Sequence, residues 1–269
     1  MKIKFLLLAL LLAILFSCSL EREIEVNLPV YEKQLVVEFY MERDQPVKVL
    51  VTESDPYFDT LRFPFINNAV ILLNSGSQTD TIPFSPIIDI ESRKIYNYGR
   101  PDYLTSDTSV EYSVTIRDSI GRELTGKTRF LPLPDVDTIE VRYSPDQDSL
   151  VGFLIWLNDI PDQTNYYRII MNEDSLTGSP AVDFTLTDNG LDGKRFPVGT
   201  SFRFERNHKM HFRIFHIEQA YYNYLRSMEA ASRANGNPFA QPATILSPMK
   251  GQGFGIFTTL NQRKFLVSY

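Results

Sequence analysis

The sequence predicts a mainly β protein: an N-terminal immunoglobulin-like β-sandwich, then a second β-rich domain carrying one amphipathic helix. Three observations predict it. Short apolar, β-branched runs recur along the chain with turn residues between them. One clear stretch, about 217–235, places apolar residues at helical spacing. Pro132-Leu133-Pro134-Asp135 interrupts the chain near its middle with two residues that lack a backbone donor.

The strands follow in order. Gln34–Tyr40, Val47–Thr52 and Ala69–Asn74 come first, then Val110–Arg117. In the last of these Val114 and Ile116 alternate with Thr115 and Arg117, the pattern of a half-buried strand. Asp118-Ser119-Ile120-Gly121-Arg122 reads as a hairpin turn into Glu123–Phe130. Beyond the proline break lie Val151–Leu157, Tyr166–Met171 and Met210–Ile217. Ile217, Ala220, Tyr221, Tyr224, Leu225, Met228 and Ala231 form one helical stripe, and Asn235-Gly236 supplies its stop. Ile256–Leu260 and Lys264–Ser268 close the chain. The expected division is therefore 24–134 for the first sandwich and 135–269 for the second domain.

The opening reads as a leader. Lys2 and Lys4 precede an unbroken apolar run, Phe5–Phe16. As a helix this run rises about 18 Å, short of the ~30 Å hydrocarbon core of a bilayer. A basic start and a short apolar run describe a secretory signal peptide, here 1–17. Leu15-Phe16-Ser17-Cys18 resembles a bacterial lipobox, although Phe16 is bulkier than the usual residue there. On that reading Cys18 becomes the acylated first residue, 18–23 is a tether, and the membrane is a partner through the N-terminal lipid. Several acyl chains anchor a protein stably where one does not.

Composition narrows the function. The chain has 269 residues, a formal net charge of −6 and a single cysteine. A chain this acidic is a poor match for phosphate contacts, so no nucleic-acid partner is expected. No internal disulfide is available to a lone cysteine. The histidines are His208, His211 and His216. On a strand His211 and His216 face opposite sides, and His208 precedes it in a turn, so no zinc site is expected. Asp188-Asn189-Gly190-Leu191-Asp192-Gly193 has the flavour of a calcium loop, but the twelfth position of such a loop is Gly199 rather than a carboxylate. There is no Gly-x-Ser-x-Gly elbow, phosphate loop or dinucleotide fingerprint. The expectation is no catalytic residues, no cofactor and no enzyme.

Trp156 sits in the apolar run Val151–Leu157, which places it in a sandwich core rather than on a sugar-stacking surface. Tyr57 and Phe58 follow Pro56 in an expected loop. Tyr98 and Tyr103 flank a second expected loop, Gly99-Arg100-Pro101-Asp102. Loops at the end of a sandwich are where binding concentrates, so these four aromatics are candidate partner or ligand contacts. The ligand itself, small molecule or glycan, is not encoded in any motif.

Several segments carry a resemblance. Glu23-Ile24-Glu25-Val26-Asn27-Leu28-Pro29 with Gln34-Leu35-Val36-Val37-Glu38, then Pro56-Tyr57-Phe58, Asn165-Tyr166-Tyr167 and Tyr221-Tyr222-Asn223-Tyr224-Leu225, occur in order. Gly236-Asn237-Pro238-Phe239 and Gly253-Phe254-Gly255-Ile256-Phe257 follow. This series is similar to a lipoprotein family of Bacteroidota known as domain of unknown function 4249. The chain departs from it at Ser247-Pro248-Met249-Lys250, where the family usually shows Asn-Ile before the glycines. The resemblance implies an outer-membrane lipoprotein that assists a TonB-dependent transporter, facing the cell surface or, as the alternative, the periplasm. The acidic residues just after Cys18 resemble the surface-export signal of such lipoproteins. A structural or adhesive lipoprotein without a transporter is the alternative, and a hydrolase with an unrecognised site a further one.

In the same bacteria Asp-Ser/Thr followed by an apolar residue or Thr is an O-glycosylation motif. It occurs at Thr60, Thr81, Ser119, Thr138, Ser149 and Ser175, several times more often than residue frequencies give. The competing reading is that Asp-Thr-Ile is also how a turn hands over to a strand.

Overall fold

Alternation builds the first strand: Leu35, Val37, Phe39 and Met41 are buried on one face while Val36, Glu38, Tyr40 and Glu42 are half-exposed on the other. The same rule organises most of the protein. The computed structural model describes residues 32–55, 64–103, 107–234 and 243–269. The expected signal peptide, the tether and Cys18 lie outside the described residues.

The described elements are β1 (Leu35–Glu42), β2 (Pro46–Glu53), β3 (Val70–Ser75), β4 (Gln78–Thr81), β5 (Phe84–Asp89), β6 (Lys94–Tyr103), β7 (Glu111–Arg117), β8 (Glu123–Arg129), β9 (Asp135–Tyr143), β10 (Leu150–Asn158), β11 (Tyr166–Glu173), β12 (Val182–Thr187), β13 (Arg195–Gly199), β14 (Phe204–Glu205), β15 (Lys209–Ile217), α1 (Gln219–Ala234), β16 (Lys250–Gly251) and β17 (Gly253–Ser268). The described residues are mainly β and include one helix. An eight-stranded sheet runs β12-β11-β15-β17-β1-β2-β6-β5. A five-stranded sheet runs β16-β8-β7-β3-β4, and a third sheet joins β13, β10 and β14, with β9 also on β10.

The long strand β17 links the two halves. Its first half, Gly253 to Leu260, pairs in parallel with β1. Its second half, Asn261 to Ser268, pairs antiparallel with β15. On one face Phe257 joins a core made from β1, β2, β3, β7 and β8, while Phe265 and Val267 pack on a second core from β10, β11, β13 and β15. On the other face Ile256 and Leu260 meet Tyr221 and Tyr224 of α1.

Each core is thus a sandwich, and both share the eight-stranded sheet. The division expected at Pro134 separates the two cores, and Lys33–Tyr269 holds both in one compact unit. The reason is β17, which belongs to both. The proline segment is strapped across it. Thr259 Oγ1 donates to the Arg129 carbonyl, Asn261 Nδ2 donates to the Leu131 carbonyl at 2.9 Å, and His216 Nδ1 donates to the Pro132 carbonyl at 3.1 Å.

Three expectations need correction. The segment expected as a loop around Gly99-Arg100-Pro101 is part of strand β6. Trp156 is not in the core. It is half-buried on the outer face of β10, where Nε1 donates to Glu140 Oε1 at 2.9 Å and the Arg195 guanidinium lies 3.9 Å from the ring centroid. The helix begins at Gln219, not 217, because Ile217 finishes β15. Its expected stop, Asn235-Gly236, lies outside the described residues.

Candidate binding cleft

The helix covers only part of its side of the eight-stranded sheet. Towards β5 that face holds a cleft of about 640 Å³, larger than two other described hollows of about 450 Å³ each. Its wall comes from four separated stretches: the β1–β2 turn, β5 with the turn after it, the middle of β6, and β15.

Each polar side chain arrives by register. Glu42 ends β1 on the half-exposed face, and Lys48 lies opposite Tyr40 on β2. Lys48 pairs with Gly99 of β6, which is bare. A Cβ at Gly99 would stand 2.5 Å from Ile87 Cδ1 and 2.8 Å from the Val47 carbonyl oxygen, so the missing side chain makes room for Ile87 in the wall. Lys48 Nζ donates to Asp89 Oδ2 and lies 5.8 Å from the Tyr96 ring centroid. Asp89 also accepts from the Glu91 and Ser92 N–H groups, at 3.1 and 3.3 Å. Burial opposes ionisation of Asp89, but these hydrogen bonds outweigh it and hold the carboxyl below its ordinary range. Tyr96 is pushed up to about 12, chiefly by burial.

Glu42 behaves differently. Burial raises its carboxyl above the ordinary range even though Lys48, Lys264 and Arg213 lie near. It accepts from Gln262 Nε2 at 3.2 Å. Arg213 projects from β15, directly across from Lys264 on β17. Its Nη2 donates to Asn172 Oδ1 at 3.3 Å, whereas its Nε is buried without a partner among the described residues. An unsatisfied buried guanidinium N–H costs about 1–3 kcal/mol. The rim is apolar: Ile88 is 75% exposed and Ile90 71%.

The aromatic contacts expected from the sequence do not assemble here. Tyr98 is 1% exposed; it is a core residue whose hydroxyl accepts from the Ala69 N–H at 2.8 Å, with Phe84 edge-on at 5.6 Å. It is therefore not a surface contact. Tyr103 ends β6, and its side chain is not among those described. Tyr57, Phe58 and Thr60 lie outside the described residues. Of the remaining hydroxyl candidates, Thr81, Ser119, Ser149 and Ser175 are exposed and Thr138 is half-buried.

Their aspartates are often occupied. Asp118 accepts from the Ile120 and Arg122 N–H groups and from Arg122 Nε, and Asp174 accepts from the Lys209 N–H and His208. Asp118 thus holds its own turn and Asp174 ties to the start of β15, while the Ser119 and Ser175 hydroxyls accept from Asn68 Nδ2 at 3.0 Å and the Thr177 N–H at 3.1 Å. The calcium-flavoured segment is also a pair of pinned turns. Asp188 accepts from Asn165, Asp192 accepts from the Asp162 N–H, and Gly190 and Gly193 have φ of 81° and 65°. Among the described residues no three His, Cys, Asp or Glu converge as metal ligands.

Sequence reading missed Glu42, Lys48, Asp89 and Arg213. The available signal was weak: charged residues recurring on the solvent side of strands, next to exposed isoleucines. No curated protein matches the chain. The family model described as Domain of unknown function (DUF4249) matches residues 21–265, nearly the whole chain, and the protein therefore belongs to that family.

Proposed function

We propose that this is a lipid-anchored, non-enzymatic accessory protein of the outer membrane, facing the cell surface, that binds a substrate or partner for a TonB-dependent transport system. One observation supports the reading: the cleft and the first described residues lie at opposite ends of β1. Eight residues of strand separate them by about 25 Å. At the entry the chain is clamped. Lys33 Nζ pairs with Glu53 and Asp55 at 3.1 and 3.4 Å, and Arg122 reaches the Lys33 carbonyl and Glu53 at 2.8 Å each and Asp118 at 2.7 Å. The segment that would carry the acylated Cys18 joins β1 at this end in sequence.

The test is affinity purification of the tagged protein from membranes in mild detergent, without crosslinker. An outer-membrane β-barrel is expected to co-purify. Recovery of none overturns the transport reading. Cys18→Ala is expected to abolish fatty-acid labelling and move the protein to the soluble fraction.

We also propose that the exposed Asp-Ser/Thr motifs are glycosylated. Thr81, Ser119, Ser149 and Ser175 are exposed residues, and Asp80, Asp118 and Asp174 before three of them are held in an ion pair or hydrogen bonds. Intact-mass measurement of the native protein is expected to exceed the lipidated chain by whole glycan increments. A mass equal to the lipidated chain alone contradicts this.

A further inference from the structure

We propose that the cleft between β5 and β15 binds a short peptide, with its free carboxylate towards Arg213 and an apolar side chain on the isoleucine rim. This deepens the reading of a substrate-holding surface protein by naming the substrate class, and rests on it.

The argument is one of matching groups. The β15 side of the cleft is lined by the Arg213 guanidinium, and Lys264 stands opposite Arg213 in the register. A ligand carboxylate pairs with that guanidinium by charge-assisted hydrogen bonding. The floor presents Glu42, whose one described hydrogen bond is the 3.2 Å contact from Gln262. A carboxylate there asks for N–H donors. The rim presents Ile88 and Ile90, two large apolar side chains left largely in water on the turn side of an edge strand. Exposed apolar surface of this kind marks contact sites.

Competing ligand classes each leave one wall unmatched. A simple anion meets Arg213 but offers Glu42 no donor, and it leaves the isoleucines wet. A metal cation or polyamine meets the carboxylates but is opposed by Arg213 and by Lys48, which already neutralises Asp89. A saccharide supplies donors and acceptors but covers isoleucine poorly and gains nothing from a guanidinium. A peptide supplies a carboxylate, backbone N–H groups and an apolar side chain at spacings of one residue. The cleft volume of about 640 Å³ exceeds what one amino acid fills.

The experiment is isothermal titration of the purified protein with trileucine, trileucine amide, free leucine and maltotriose. Trileucine is expected to bind saturably. Amidation of its carboxylate is expected to weaken binding at least tenfold, and leucine and maltotriose to bind more weakly still. Arg213→Gln is expected to remove the difference between trileucine and its amide. Ile88→Asp, at an exposed position that folding does not need, is expected to weaken both peptides alike. Saturable binding of maltotriose with none of trileucine overturns the proposal, as does an equal affinity of the native protein for acid and amide. The titration involves no transporter, so a negative result here leaves the co-purification result standing, and the reverse also holds.

Discussion

Gly255→Ala is expected to destabilise the protein by about 3 kcal/mol, the upper end of ordinary overpacking. The reason is the parallel pairing of β17 with β1. An added Cβ at Gly255 would stand 2.0 Å from the Val37 carbonyl oxygen and 2.8 Å from Val37 C and N. All three are backbone atoms, so no side chain can swing aside, and the strands themselves must separate. Gly253 faces Leu35 in the same way, at 2.2 Å from its carbonyl oxygen. Separation there loosens Phe257, which packs on Phe39 at 4.8 Å between centroids and ties β17 into the first core. Gly199→Ala is the control: its Cβ would meet only Leu154 Cδ1, at an ordinary 3.6 Å. Urea unfolding measures both through the shift in midpoint at constant slope. A loss below about 1 kcal/mol for Gly255→Ala would show that the pairing is looser than described.

That result bears on how much could be read from the chain. Gly253-Phe254-Gly255-Ile256-Phe257 is visible as a motif, yet its cause is not local. The glycines answer to Leu35 and Val37, more than two hundred residues earlier. Strands whose pattern is self-contained, such as Val114 and Ile116 alternating with polar neighbours, were legible because period-two burial is written within the segment. The α1 stripe was legible for the same reason. β5 and β6 were not. Phe84-Ser85-Pro86 and Gly99-Arg100-Pro101 look like turn punctuation, but Pro86 sits in an edge strand at a register irregularity and Gly99 is bare to admit Ile87. Tyr98 followed from that error: placed in a loop it looks like a contact, and placed in β6 it is core.

Trp156 failed in the opposite direction. A continuous apolar run does not say which face is covered, and Glu140 and Arg195, from β9 and β13, decide that it lies outside. The cleft was the least legible feature. Its defining groups come from β1, β2, β5 and β15, and the contact between Glu42 and Gln262 spans 220 residues. Only the sheet order brings them together. Charge pattern within any one strand reports a solvated face and nothing more.

Asn165→Ala is expected to cost about 3 kcal/mol, because hydrogen bonds to buried charged groups are lost while the charges stay buried. Asn165 is 1% exposed, and Asp159 and Asp188 beside it are 8% and 3% exposed. Its Nδ2 lies 3.1 Å from Asp159 Oδ1, 3.2 Å from Asp188 Oδ2 and 2.7 Å from the Ile160 carbonyl. Alanine keeps the backbone donation to Asp188 at 2.9 Å, and Asp159 keeps Tyr167 Oη and the Gly193 N–H. Both carboxylates nonetheless lose the amide that bridges them. Asn165→Asp separates packing from charge. It preserves shape but adds a third carboxyl between two others, so its folded pKa must rise above the unfolded value near 3.9. A raised pKa contributes stability that is present below the unfolded value and lost as pH rises through the folded one. Asn165→Asp is therefore expected to be worse than Asn165→Ala at pH 7 and to recover relative to it at pH 4. Urea midpoints for the two variants at both pH values measure this. An unchanged order at pH 4 and pH 7 would mean that Asn165 fills space rather than balancing charge.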